Sequence, residues 1–91
     1  MINVLVLEDS PALQSFLKTL LGASGYNVSI SAKGLDGFSL MSEQSFDLVL
    51  LDLGLLDMDG QAWLLEVRQW SQIPILVLSA RDGEVEKVTA L

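Results

Sequence analysis

The chain has 91 residues, of which 51% are hydrophobic, so we expect one folded domain covering residues 1–91 rather than a disordered segment. It contains no cysteine and no histidine, which excludes disulfides, thiolate zinc sites and catalysis by a thiol or an imidazole. Twelve acidic and five basic residues give a net charge of -7, which disfavours direct nucleic-acid binding and favours a metal ion or another cationic ligand.

The first elements of the chain alternate between apolar strands and helices. Met1–Glu8 is rich in Ile, Val and Leu, which predicts a buried strand. Ser10 and Pro11 then predict a helix start, because a hydroxyl caps free N–H groups and proline suits the first turn. The glycines of Gly22–Gly25 predict the end of this helix. A second strand and a weaker helix are predicted next, at Tyr26–Ser31 and Lys33–Glu43.

The second half of the chain continues this alternation. Phe46–Asp52 predicts a third apolar strand, and Leu53–Gly60 predicts a loop. A helix over Gln61–Trp70 and a strand over Ile73–Ser79 follow, and Glu84–Leu91 predicts the beginning of a fourth helix. Apolar strands separated by helices indicate an α/β fold, in which a parallel sheet is covered on both faces.

The lengths of the apolar segments also bear on location. No apolar run approaches the roughly 20 residues that a membrane helix requires. The N-terminus lacks the basic segment and apolar core of a secretory signal. We therefore expect a cytoplasmic protein that does not contact membranes.

Acidic and hydroxyl side chains follow the predicted strands at their carboxyl ends. Glu8 and Asp9 close the first strand, Asp52 closes the third and Ser79 closes the fourth. If the strand order is 2-1-3-4, the first, third and fourth strands are neighbours about 4.8 Å apart. The three acids would then converge on one pocket at the edge where open parallel sheets bind ligands, with Ser79 on its far side.

Three carboxylates in one pocket repel one another, and a hard divalent cation relieves that repulsion. Magnesium suits a site with few carboxylates, some waters and a phosphate oxygen. Such a site supports phosphoryl transfer, with Asp52 as the nucleophile and Ser79 as a hydrogen-bond donor to a phosphoryl oxygen.

Two other interpretations apply to these acids. Acidic residues at strand ends are often only solvated turn formers, and Asp59 is a candidate helix cap. Asp57, Asp59 and Glu66 also match part of the spacing of an EF-hand loop. Leu55 stands at the first ligand position of that loop and a strand precedes it, so we reject the EF-hand.

Three segments stand out together, namely Val4–Asp9, Asp52–Gly60 and Leu78–Arg81. They resemble the receiver domain of bacterial two-component response regulators, and Leu78–Asp82 followed by Glu86–Val88 resembles the OmpR/PhoB type. The resemblance implies a flavodoxin-like doubly wound sheet of order 2-1-3-4, and phosphorylation of Asp52 by a sensor histidine kinase to control transcription. It also implies magnesium held by Asp9, Asp52 and the Gly54 carbonyl, with Glu8 acting through water and Ser79 as a switch hydroxyl.

The chain departs from the pattern of this family in two ways. Leu56 stands where the family usually has proline, so the loop after Asp52 is less rigid by itself. The family also continues into a fifth strand, a fifth helix and a lysine that contacts the phosphoryl group, which we expect this chain to lack. Ile73–Ser79 would then be a bare edge strand, which predicts self-association.

Two further functions compete with the phosphorylated receiver. A receiver without the lysine would act as a non-phosphorylated interaction or dimerisation module. A hydrolase with an aspartyl nucleophile is disfavoured, because Gly54 stands two residues after Asp52 where a second acid would be needed. Uptake of a phosphoryl group that depends on Asp52 discriminates the first function from the module.

Overall fold

The computed structural model describes residues 1–81 and 84–90, and for 79–81 and 84–90 it describes the backbone alone. In this part of the chain, no helix combines the length and the apolar character needed to cross a bilayer. Strands and helices alternate up to the fourth strand. Their order is β1 (Asn3–Leu7), α1 (Pro11–Ala23), β2 (Asn27–Ser31), α2 (Gly34–Glu43), β3 (Leu48–Asp52), α3 (Gly60–Arg68), β4 (Ile75–Arg81) and β5 (Glu84–Ala90).

The strands form one sheet in the order β2-β1-β3-β4-β5. The first four strands are parallel, which confirms the predicted flavodoxin-like order 2-1-3-4. Leu7 in β1 pairs with Leu51 in β3, and Asp52 pairs with Leu78 in β4. The carboxyl ends of β1, β3 and β4 therefore lie side by side at the same end of the sheet, where these strands stop.

Alternate residues of the strands fill two separate cores, because successive side chains of a strand point to opposite faces. One face packs against α1 through Leu17. The other face packs against α2 and α3, with Trp63 and Val67 fully buried. Coverage on both faces explains why the strands are apolar throughout rather than alternating with polar residues.

Two helix starts follow the local chemistry predicted from the sequence. The Ser10 hydroxyl accepts a hydrogen bond from the Leu13 N–H at 3.3 Å, and Pro11 is the first residue of α1. The Asp59 carboxylate accepts a hydrogen bond from the Gln61 N–H at 3.1 Å at the start of α3. Asp59 is thereby confirmed as a cap.

The prediction of a helix over Glu84–Leu91 is wrong, because residues Glu84–Ala90 form β5, antiparallel to β4. The sheet thus has a fifth strand, which runs against the direction of the other four. A strand left at the edge of a sheet exposes unpaired N–H and C=O groups, and β5 pairs with all seven residues of β4. The bare edge expected at Ile73–Ser79 is therefore covered within the chain, and β5 takes its place as the edge strand on this side of the sheet.

Candidate metal centre

Three acidic side chains meet where β1 and β3 end. Glu8 and Asp9 follow β1 directly, and Asp52 is the last residue of β3. One carboxylate oxygen from each of the three lies within 4.8 Å of the others. The predicted convergence of these acids is confirmed, and carboxylate oxygens at this spacing suit a hard divalent cation.

Glu8 is the most deeply placed of the three acids, with only 4% of its surface exposed. One of its carboxylate oxygens accepts a hydrogen bond from the Ser10 N–H at 2.9 Å. The Gln14 side chain of α1 donates to the Glu8 carbonyl at 2.6 Å, which fixes the backbone at this turn. Burial raises the pKa of Glu8 from 4.5 to about 7, despite the Ser10 hydrogen bond, and the nearby Asp9 and Asp52 carboxyls add to the rise.

Asp52 is half-buried, and its pKa is perturbed like that of Glu8. Burial raises its pKa above the usual value, and the neighbouring Asp9 carboxyl acts in the same direction. A hydrogen bond from the Gly54 N–H opposes this rise. The pKa values of Glu8 and Asp52 are thus raised mainly by burial, and the closeness of the other carboxyl groups adds to the rise.

The loop after Asp52 turns back on itself before α3 begins. Gly54 and Asp59 form an isolated antiparallel bridge, and the Gly60 N–H donates to the Leu53 carbonyl at 2.9 Å. Gly60 allows this close approach, because a Cβ there would lie 2.6 Å from the Leu53 Cα and 2.8 Å from the Asp52 carbonyl oxygen. The start of α3 is thus packed directly against the backbone of Asp52.

Ser79 lies in β4 immediately after Leu78, which pairs with Asp52 in β3. The backbone of Ser79 therefore reaches the same edge of the sheet as the acidic cluster. Its side chain lies outside the described part of the structure, so its role as a switch hydroxyl stays a prediction.

Asp57 has a structural role that the sequence did not indicate. Its two carboxylate oxygens accept hydrogen bonds from the first N–H groups of α2, from Gly34 at 2.7 Å and Leu35 at 3.0 Å. Partial desolvation raises the pKa of Asp57, but the N–H groups of Leu35 and Gly34 and the charge of Lys33 outweigh it and hold the pKa below its usual value. Gly34 and Leu35 lie 23 and 22 residues away from Asp57 in the sequence, so no local sequence pattern indicates this contact.

The amino-acid sequence matches a known protein family. The profile of the response regulator receiver domain matches residues 4–91. The chain therefore belongs to the response regulator receiver domain family, whose general function is to be phosphorylated by a kinase.

Full-length relatives are regulators of transcription. The chain is 42% identical over all of its residues to the KDP operon transcriptional regulatory protein KdpE of Escherichia coli K12. It is 40% identical over 88 residues to the transcriptional regulatory protein KdpE of Mycobacterium tuberculosis H37Rv. The chain spans about 40% of the length of these relatives, namely 40% and 39% respectively.

Solved receiver domains share the fold. The receiver domain of the TMAO respiratory system response regulator TorR superposes with a TM-score of 0.84 at 31% identity, over 92% of this chain and 70% of that one. The BeF3-activated receiver domain of Klebsiella pneumoniae RstA gives a TM-score of 0.83 at 27% identity, over 90% and 70%. The predicted flavodoxin-like fold and the predicted resemblance to receiver domains are thereby confirmed.

Proposed function

We propose that Asp52 accepts a phosphoryl group from a sensor histidine kinase. The observation that carries this proposal is the meeting of three carboxylates at the ends of β1 and β3, with Asp52 as the half-buried member at a strand end. A carboxylate oxygen of Asp52 attacks phosphorus and forms a P–O bond, while the P–N bond to the kinase histidine breaks. Asp52 is thus a phosphoacceptor that assists its own phosphorylation and dephosphorylation rather than an enzyme acting on a separate substrate.

Magnesium is the ion we propose for this site. Asp9 and Asp52 would be direct carboxylate ligands, and Glu8 would act through a water, as the resemblance to receiver domains implies; the meeting of the three carboxylates supports this set. The crowding of three carboxylate oxygens within 4.8 Å of one another supports a cation here, because their repulsion adds to the rise that burial causes in the pKa values of Glu8 and Asp52. When bound, magnesium supplies positive charge that offsets the carboxylates and the phosphoryl oxygens together.

We propose the Gly54 carbonyl as the third protein ligand. The antiparallel bridge between Gly54 and Asp59 supports this assignment. The Gly60 N–H beside that bridge donates to the Leu53 carbonyl rather than to the Gly54 carbonyl. The N–H and C=O of an extended residue point to the same side of the chain. Because the Gly54 N–H faces the Asp52 carboxylate, its carbonyl is favourably placed to face the ion.

The wider role is proposed from the relatives. Their printed names describe transcriptional regulatory proteins, so we propose that phosphorylation of this receiver controls transcription in the bacterial cytoplasm. The net charge of -7 supports the view that this segment does not itself bind nucleic acid. We propose that residues 1–91 act as one receiver unit, which the match over residues 4–91 supports.

The direct test is incubation of the chain with magnesium and acetyl phosphate, followed by intact-mass measurement. We expect one phosphoryl group to be added to the unsubstituted chain and none to Asp52→Asn. Asp47→Asn is the matched control, because it removes the same charge from an acid that contacts Asn3 at the opposite end of the sheet. This control should be phosphorylated normally.

The same experiment separates the receiver from its main competitor. Magnesium binding without any phosphoryl uptake would contradict the phosphoacceptor proposal and select a non-phosphorylated interaction module. Phosphorylation that persists in Asp52→Asn would contradict the assignment of Asp52 instead.

A further inference from the structure

The N-terminus of α2 is held by a distant segment rather than by its own cap. Lys33 occupies the cap position and makes no side-chain hydrogen bond to the helix. The first N–H groups of any helix need partners from outside the helix. Asp57 provides them for Gly34 and Leu35 with one carboxylate oxygen each, and bonds to a charged acceptor are stronger than neutral ones.

Further contacts join the same two segments around Gly34. The Trp63 indole N–H of α3 donates to the Gly34 carbonyl at 2.9 Å. The Leu56 N–H donates to the Ala32 carbonyl at 3.2 Å. Met58 packs so closely that a Cβ on Gly34 would lie 2.5 Å from its sulfur. We call these contacts, from the loop 53–59 and α3 to the start of α2, the loop latch.

The loop latch acts on the segment that follows Asp52. Asp57 lies five residues after Asp52 and three after Gly54, between the two ends of the bridge that pairs Gly54 with Asp59. Leu56 leaves the backbone dihedral φ unrestricted where a proline would fix it. The loop therefore owes its shape to contacts, and Asp57 makes two charge-assisted ones.

We propose that Asp57 is a positioning residue for the metal site, which holds the Gly54 backbone in place by binding the start of α2. This inference rests on the proposed magnesium site. It links the metal site to a second element of the fold, because Mg2+ binding at the site would then affect the backbone at the start of α2. Residues that orient metal ligands without touching the ion typically change metal affinity by about 10- to 100-fold when removed.

The test compares Asp57→Ala with Asp36→Ala in the 91-residue chain. Asp36 lies in the first turn of α2 and accepts a hydrogen bond from the Ser31 hydroxyl at 3.1 Å, so its removal also weakens the start of α2. Within the described residues, no hydrogen bond joins Asp36 to the loop 53–59. Both substitutions remove one negative charge, so the two variants have the same net charge and differ in whether the loop contact is lost.

We expect Asp57→Ala to raise the dissociation constant for Mg2+ about tenfold by isothermal titration calorimetry, and Asp36→Ala to leave it close to that of the unsubstituted chain. Asp57→Asn keeps one carbonyl oxygen acceptor, so its loss should be smaller than that of Asp57→Ala. An unchanged Mg2+ affinity in Asp57→Ala, or an equal loss in Asp36→Ala, would overturn the proposal.

A second measurement does not depend on how the variants fold. In the unsubstituted chain, addition of Mg2+ should shift the amide resonances of Gly34 and Leu35 along with that of Gly54. Shifts at Gly54 alone would overturn the positioning role while leaving the metal site intact. Absence of any Mg2+ binding by the unsubstituted chain would instead contradict the proposed function, and the role of Asp57 with it.

Discussion

At the scale of single residues, burial of Glu8 makes stability depend on pH in an unusual direction. Its pKa is raised to about 7 in the folded chain and is 4.5 in the reference state, so the folded state binds a proton more readily. The stabilising contribution is complete below pH 4.5 and is lost as the pH rises through 7. Asp52, whose pKa is also raised, acts in the same direction.

We therefore expect the unfolding temperature in magnesium-free buffer to fall between pH 5 and pH 8, within the window set by the Glu8 pKa. Glu8→Gln keeps an oxygen to accept the Ser10 hydrogen bond and cannot ionise, so it should flatten this dependence. Saturating Mg2+ should flatten it as well, because the ion favours the ionised acids. Thermal denaturation followed by circular dichroism checks all three, and a curve that rises over this range would contradict the assignment.

At the scale of elements, the contact between α3 and the end of β3 fixes the backbone beneath the acidic cluster. Gly60 brings the first turn of α3 against Asp52 and Leu53, where there is no room for a Cβ. A side chain at this position must displace either the helix or the strand end. The geometry of the cluster therefore depends on a residue that carries no side chain.

We expect Gly60→Ala to lower the free energy of unfolding by about 1–3 kcal/mol, the range typical of overpacked sites. Gly22→Ala is the control, because nothing lies within 4 Å of a Cβ at that position of α1. This control should gain about 0.5–1 kcal/mol from improved helix propensity. Urea denaturation of both variants measures the difference, and equal effects would show that the close approach at Gly60 is unimportant.

Patterns within single elements predicted most of the fold, and the failures came from contacts between elements. The apolar strands at 3–7, 48–52 and 75–81, and the caps Ser10 and Asp59, follow from local chemistry. The segment Glu84–Ala90 mixes charged and β-branched residues, which suit a helix or a strand, and pairing with β4 decides between them. The sequence likewise located Glu8, Asp9 and Asp52 but could not reveal what Asp57 contacts.

At the scale of the whole molecule, the net charge and the exposed apolar surface have opposite effects on association between copies of the chain. The net charge of -7 keeps copies of the chain apart by mutual repulsion. Leu13, Phe16 and Leu20 are exposed on α1 at spacings of three and four residues, so they share one face of the helix. Exposed apolar surface of this kind favours association, and salt removes the repulsion that resists it.

We therefore expect the chain to self-associate, and to do so more strongly as ionic strength increases. Phe16→Gln should weaken the association, whereas Leu65→Gln, at a comparably exposed position on α3, should not. Sedimentation velocity at low and high salt measures both effects. A well-folded monomer at high concentration under both conditions would contradict the prediction.

The two tryptophans are sheltered to very different degrees, and this gives the protein a natural optical signal. Trp63 has no exposed surface, stacks on Phe38 with ring centres 5.4 Å apart and is bonded to Gly34, whereas Trp70 is 52% exposed. A water-soluble quencher such as iodide should extinguish the emission of Trp70 and spare that of Trp63. The remaining fluorescence would then report on the junction of α2 and α3 alone, without any attached dye.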